Sequence, residues 1–147
     1  MSTRSRIAIQ DRQGKYRSVY HHYDGYPEGV GVSLQRYFPT YISACSLIAG
    51  GDISGIDWDD GHVNYYAKRS SWDDPRGGTD EPYKDVAPII DKTFEDLLKT
   101  ADNSCGCYLY VYYLDSNNVK CYDLRNELGG VNGCTEVSIP SKRREVA

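Results

Sequence analysis

The sequence has one Met and two Phe among 147 residues, and no apolar run approaches the roughly twenty residues a membrane-spanning helix needs. A spanning helix is therefore excluded from the reading. The opening Met1-Ser2-Thr3-Arg4-Ser5-Arg6 is basic, but only Ile7-Ala8-Ile9 follow before polar residues return. That run is too short for the apolar region of a secretory leader, so a cytoplasmic location is expected. The cysteines are odd in number: Cys45, Cys105, Cys107, Cys121 and Cys134. In a reducing compartment they read as small packed residues and not as a disulfide frame.

The formal charge is −4, so the basic excess of a general nucleic-acid binder is missing. Metal-site spacing is missing too. Cys105-Gly106-Cys107 lacks the spacer and the second ligand pair of a structural zinc site. In Asp57-Trp58-Asp59-Asp60-Gly61 the position that must be Gly in a calcium loop falls on His62. There is no Walker loop, nucleophile elbow or dinucleotide fingerprint. Neither a metal nor a cofactor is expected.

What the sequence has in excess is Tyr, fourteen in all. Each brings a ring to bury and a hydroxyl that needs a partner, so a half-polar core or cleft is expected. Charge is unevenly placed. Residues 1–36 hold six bases and three acids, net +3, whereas residues 50–103 hold six bases and thirteen acids, net −7. A local basic site in an acidic chain suits a small anion better than a long duplex.

The length fits a single domain, 1–147, with residues 140–147 as a frayed tail. Ser5 to Gln10 alternates, Asp11 to Lys15 turns, and Tyr16 to Tyr23 alternates again, which reads as a β-hairpin. After the Gly- and Pro-containing loop at 24–29, Val30, Leu34, Tyr37 and Phe38 recur at helical spacing until Pro39. A second helix fits Thr40 to Ala49, stopped by Gly50-Gly51. His62 to Ala67 suits a strand, and Ala87 to Ala101 suits a third helix. Cys107 to Leu114 and Val119 to Leu124 make a second hairpin, with Glu136 to Ile139 as an edge strand. The order predicts an α+β fold: a mainly antiparallel sheet from the two hairpins, with about three helices on one face.

Candidate ligand-binding residues cluster near the first hairpin. In His21-His22-Tyr23-Asp24-Gly25-Tyr26-Pro27 a strand ends in a polar loop just before a helix start, where backbone donors favour anions. His22 or Asp24 would orient a ribose or phosphate, Gly25 would allow close approach, and Tyr26 would stack on a base. The plainer reading is a turn in which Asp24 bonds its own backbone and Pro27 starts the helix. Arg4 and Arg6 share a strand face and together suit a phosphate, or else are ordinary surface arginines. Arg69, beside Lys68 and after Tyr65-Tyr66, is a further candidate cation. No catalytic residue is assigned: His22 and Asp24 suit acid–base work, but nothing identifies a nucleophile.

Met1-Ser2-Thr3-Arg4-Ser5-Arg6-Ile7-Ala8 and the later His22-Tyr23-Asp24-Gly25-Tyr26-Pro27 resemble the M-S-T-R-S-x-I-A opening and H-x-D-G-Y-P segment of a family of small uncharacterised bacteriophage and prophage proteins. Gly51-Asp52-Ile53-Ser54 is similar to a further G-D-I-S element of that family. The chain departs from the pattern at Tyr23, where Trp or Phe is usual, and at His21, where Cys is common.

The resemblance implies a phage origin, and hence the host bacterial cytosol. With the candidate residues it leads to an expected accessory or counter-defence role. The protein would sequester a small anionic signalling ligand, such as a cyclic or ADP-ribose-derived nucleotide. Two alternatives stay open: an acidic interaction protein that blocks a host defence protein, and a small hydrolase or transferase using His22 and Asp24. A homo-oligomer is also expected, from exposed Tyr-rich strands.

Overall fold

The structure, a computed structural model, describes residues 3–68, 85–115, 118–125 and 134–141. The first hairpin forms as expected: β1 (Ser5–Gln10) pairs antiparallel with β2 (Tyr16–His21), Ile7 opposite Val19. Its turn is closed by Asp11, whose carboxylate accepts from the main-chain N–H groups of Gln13 and Lys15. Gly14 takes the positive φ that the turn requires.

Pro27 then opens a single wide π-type turn, Pro27–Gly31, that runs into α1 (Val32–Tyr37). Pro39 separates it from α2 (Tyr41–Ala49). The start of α2 is written in the sequence as a capping box, with Thr40 and Ser43 each accepting from the other's backbone N–H. β3 (Ile53–Ile56) and β4 (Val63–Tyr65) form a short hairpin, and β5 (Ile89–Asp91) precedes α3 (Phe94–Asn103). The second long hairpin is β6 (Tyr108–Tyr112) with β7 (Val119–Asp123), and β8 (Thr135–Val137) pairs with β7.

The eight strands make one sheet in the order β4-β3-β2-β1-β6-β7-β8, with β5 also on β2. Pairing is mostly antiparallel, but β1 runs parallel to β6 at the centre, with Ile7 opposite Tyr110, and β2 parallel to β3. The α+β class and the mainly antiparallel sheet are as the sequence predicts.

Three expectations need correction. The helices divide between both faces. Ile7, Ile9, Val19, Tyr110 and Tyr112 pack with Leu34, Ala44, Leu47 and Ile48 of α1 and α2. Ala8, Leu109 and Val111 pack on the other side with Leu97 and Ala101 of α3. The reason lies in β6, whose five residues are all buried. A strand apolar on both sides must be covered on both.

Second, the third helix starts at Phe94 and not near Ala87. Thr93 caps it by accepting from the Asp96 N–H, and the residues before it pair with Tyr16 to Ser18 as β5. Ile90, read as part of the helical stripe, is instead exposed on that strand. Third, the Tyr-rich strand β6 is not exposed: Tyr108, Tyr110 and Tyr112 are buried, while Tyr113, just after it, is partly exposed.

The chain after β8 also stays close to the body. Ile139 packs on the α1 face, and Ser141 lines a cleft there. The rest of the expected frayed tail, 142–147, lies outside the described residues. Among the described residues no helix is long and apolar enough to cross a membrane.

Candidate functional site

The abundant tyrosines have a shared job on the α1–α2 face. Tyr110 donates its hydroxyl to the Gly25 carbonyl at 2.7 Å and Tyr112 to that of Phe38 at 2.8 Å. Tyr41 reaches the Gln10 carbonyl, Tyr65 that of Leu47 and Tyr37 that of Trp58. The rings of Tyr41, Tyr65, Tyr110 and Tyr112 pack in or against the core, and each of the five hydroxyls fastens a main-chain carbonyl, a bond worth about 1 kcal/mol. Burial pushes the Tyr65 phenol up to about 12, so it stays a neutral donor.

This tethering shapes a cleft of about 500 Å³ between α1 and the β3–β4 turn. Its lining includes Ser33, Gln35, Arg36, Tyr37, Trp58 and Asp59. The turn at its rim is the aspartate-rich segment, closed by its own side chains. Asp57 accepts from the Asp59 N–H and Asp60 from the His62 N–H. Gly61 sits at φ +75°, and a Cβ there would meet the Tyr37 ring at 2.5 Å. Glycine at this position thus lets the turn close against Tyr37. The Arg36 guanidinium lies 5.2 Å from the Tyr37 ring centroid, an attractive cation–π distance, and its side chain is exposed. Trp58 and Tyr37 give the cleft aromatic surface, Arg36 a positive and Asp59 a negative charge, Ser33 and Gln35 neutral polar groups.

Behind it lies a recess of about 30 Å³ that shares Ser33 and Trp58 with the cleft and is also lined by His21, Tyr23, Asp24 and Val30. His21 is 1% exposed. Its Nδ1 is 3.2 Å from the Ser5 Oγ, and its Nε2 is buried with no hydrogen-bond partner. Such an unpaired buried nitrogen costs about 1–3 kcal/mol. Burial, with the neighbouring His22, brings the ring down to about 3, so it is neutral at ordinary pH.

The residues singled out from sequence are placed differently from one another. Arg4 is exposed, with its carbonyl accepting from the Cys107 N–H. His22 pairs by Nδ1 with the Tyr20 hydroxyl at 2.6 Å and packs edge-on against Tyr23. Arg4 and His22 each adjoin the last β1–β2 pair, Ser5 opposite His21. Arg6 is a different case: it is 3% exposed, and its guanidinium donates to the Ser18 hydroxyl and carbonyl. Desolvation draws its pKa down while Asp52 and Asp91 hold it up, so it reads as a buried structural charge.

Gly25 is buried as well. Its N–H donates to the Thr3 carbonyl, and a Cβ would meet that oxygen at 2.6 Å. The Gly29 and Val30 N–H groups are taken by the Tyr26 and Asp24 carbonyls. The donors expected to greet an anion at the helix start thus close the loop instead. Asp24 has φ 57° and receives a long bond, 3.4 Å, from the Tyr26 hydroxyl, while the Tyr26 ring packs against the core. Of the expected residues, Asp24 lines the recess. Arg69 lies outside the described residues.

Sequence reasoning missed Arg36, Tyr37 and Trp58 as site residues because α1 and the turn are separated by more than a helix and a strand. The neighbouring positions of Arg36 and Tyr37 beside a predicted helix end were the available signal. Among the described residues no three His, Cys, Asp or Glu side chains converge as a metal site. All five cysteines are free. No family model, curated protein or solved structure matches the chain.

Proposed function

We propose that the protein binds and sequesters a small anionic, nucleotide-like ligand, as a phage-type counter-defence factor, and that the ligand occupies the cleft between α1 and the β3–β4 turn. The observation that carries this reading is the cleft itself: about 500 Å³, with Tyr37 and Trp58 as aromatic surface and Arg36 as a cation. That volume falls in the range of about 300–1,000 Å³ common for small-molecule sites. A base stacks on an aromatic side chain, and a phosphate takes the guanidinium fork. The resemblance of residues 1–31 to phage proteins supports the counter-defence setting.

A capture role is favoured over turnover by the hydrogen bonding of His22 and Asp24. Each is engaged by a tyrosine hydroxyl, Tyr20 and Tyr26, and neither is bonded to the other.

The test is calorimetry of the purified protein against cyclic mono- and dinucleotides and ADP-ribose derivatives, with mass spectrometry of the recovered ligand. Binding by at least one member, returned unaltered, is expected. Arg36→Ala is expected to weaken it roughly tenfold or more, the scale of one charge-assisted contact. Absence of heat with every member overturns the reading, and a chemically changed ligand replaces it with an enzyme.

A further inference from the structure

We infer that the cleft between α1 and the β3–β4 turn selects guanine nucleotides, the Asp59 carboxylate accepting the paired N1–H and N2–H donors of the base while Arg36 takes the phosphate. This inference rests on the cleft being the ligand site and adds which base is read, and by which residue.

The two walls of the cleft are joined by a hydrogen bond. Tyr37, at the end of α1, donates its hydroxyl to the Trp58 carbonyl of the turn at 2.6 Å. Gly61, at φ +75°, lets the turn close on the Tyr37 ring. A charged residue adjoins each end of that bond: Arg36 precedes Tyr37, and Asp59 follows Trp58. Both line the cleft, one on each wall, and both are exposed. Among the described residues they are not ion-paired to each other. The cleft is therefore polar across its width, positive on the α1 wall and negative on the turn wall.

Asp59 differs from its neighbours in the turn. The carboxylates of Asp57 and Asp60 accept the Asp59 and His62 N–H groups and so close the turn. Asp59 gives that closure its backbone N–H, and its two carboxylate oxygens serve a guest. Three exposed aspartates, Asp57, Asp59 and Asp60, also turn a phosphate away from this wall. A nucleotide thus lies with its phosphate toward Arg36 and its base toward Asp59, beside Tyr37 and Trp58.

That orientation makes the carboxylate a reader of the base. A carboxylate only accepts, and its two oxygens match two donors side by side. Guanine presents that pattern, with N1–H next to the N2 amine. Adenine and cytosine place a ring-nitrogen acceptor beside their amine, and uracil flanks its N–H with two carbonyls. Each of these sets a lone pair against a carboxylate oxygen. A site that hydrogen-bonds one group in this way rejects the analogue that lacks it.

The test is calorimetry on the intact chain with two series: 3′,5′-cyclic GMP, cyclic IMP and cyclic AMP, and cyclic di-GMP against cyclic di-AMP. Cyclic IMP keeps N1–H and lacks the N2 amine. In at least one series the guanine compound is expected to bind about tenfold tighter than its adenine counterpart. Cyclic IMP is expected to be weaker than cyclic GMP. Asp59→Asn is expected to weaken the guanine compound about tenfold and to leave the adenine compound as tight or tighter, because a negative charge is gone. A purely electrostatic role would move both alike. Should that variant fail to fold, the compound series on the unaltered protein carries the test.

Adenine compounds that bind as tightly as guanine ones overturn the base assignment while the cleft reading stands. Cyclic IMP equal to cyclic GMP does the same, as does a guanine preference that survives Asp59→Asn or binding of ADP-ribose alone. Failure of all five compounds and of ADP-ribose to bind overturns both.

Discussion

The two faces of the sheet solve the same packing problem with different chemistry. On the α1–α2 face, tyrosine rings fill the core and their hydroxyls are spent on main-chain carbonyls of loops and helix ends. On the α3 face the tyrosines turn to one another. Tyr113 and Tyr122 share a bond at 2.9 Å, and Phe94 meets Tyr16 and Tyr122 edge-on. One amphipathic helix, with Leu97 and Ala101 buried, closes that side, and its buried ion Arg6 is satisfied by Ser18. The first face also leaves an orphaned histidine nitrogen and a cleft. One face is built to hold the fold, and the other also keeps room.

The largest test of that division deletes core volume on each side. Leu97 and Leu34 are both 0% exposed. Leu97→Ala and Leu34→Ala are each expected to cost about 2–5 kcal/mol in urea unfolding. Ligand affinity should survive the first change and fall in the second, because Leu34 seats the helix that carries Arg36 and Tyr37. Equal effects on affinity would erase the distinction between faces.

The next effect is a pH dependence confined to the α1–α2 face. His21 titrates at about 3 when folded, below the ordinary 6.5 of an unfolded histidine. Between those values the unfolded chain holds the extra proton, so stability is full above about pH 6.5 and is lost as pH falls toward 3. The loss is expected to be on the order of 2 kcal/mol by pH 5, at 1.36 kcal/mol per pH unit. Equilibrium unfolding across pH 5 to 7 measures it, and His21→Phe should remove that contribution.

Gly61→Ala is expected to destabilise by about 1–2 kcal/mol through its left-handed backbone alone. Contact of the new methyl with the Tyr37 ring should also weaken ligand binding, so paired melting and calorimetry would show both. The smallest difference compares tyrosines across the sheet. Tyr112→Phe removes a tether and should cost about 1 kcal/mol, more than Tyr113→Phe, whose half-exposed partner hydroxyl on Tyr122 can turn to water.

The sequence was most legible where the signal is local. The first hairpin, the Thr40–Ala49 segment and the β6–β7 hairpin follow from alternation, a helical stretch stopped by Gly50-Gly51, and turn residues within a few positions. β3 and β5 were not seen because each is only three or four residues long and exists by pairing with other strands, β3 with β4 and β2, β5 with β2. Ile90 mimicked the helical stripe of Phe94, Leu97 and Leu98, and nothing short of the β2 partner distinguishes the two. The tyrosine count did foretell a half-polar interior, though not that the hydroxyls would serve as tethers.

The expected site shows the same limit. Gly25 closes the loop through partners distant in sequence, Tyr110 for its carbonyl and Thr3 for its N–H, while His22 and Asp24 pair with the nearby Tyr20 and Tyr26. Charge and glycine content look alike for a loop that grips a ligand and one that grips its own chain. The cleft arises from the approach of α1 to the β3–β4 turn, which no local pattern encodes.

The most direct measurement of the central claim is a backbone and indole proton–nitrogen NMR titration with the tightest nucleotide found by calorimetry. Perturbations centred on Ser33, Arg36, Tyr37 and the Trp58 indole are predicted, with α3 silent. Perturbations centred instead on Arg4 and His22, or on α3, would contradict the account.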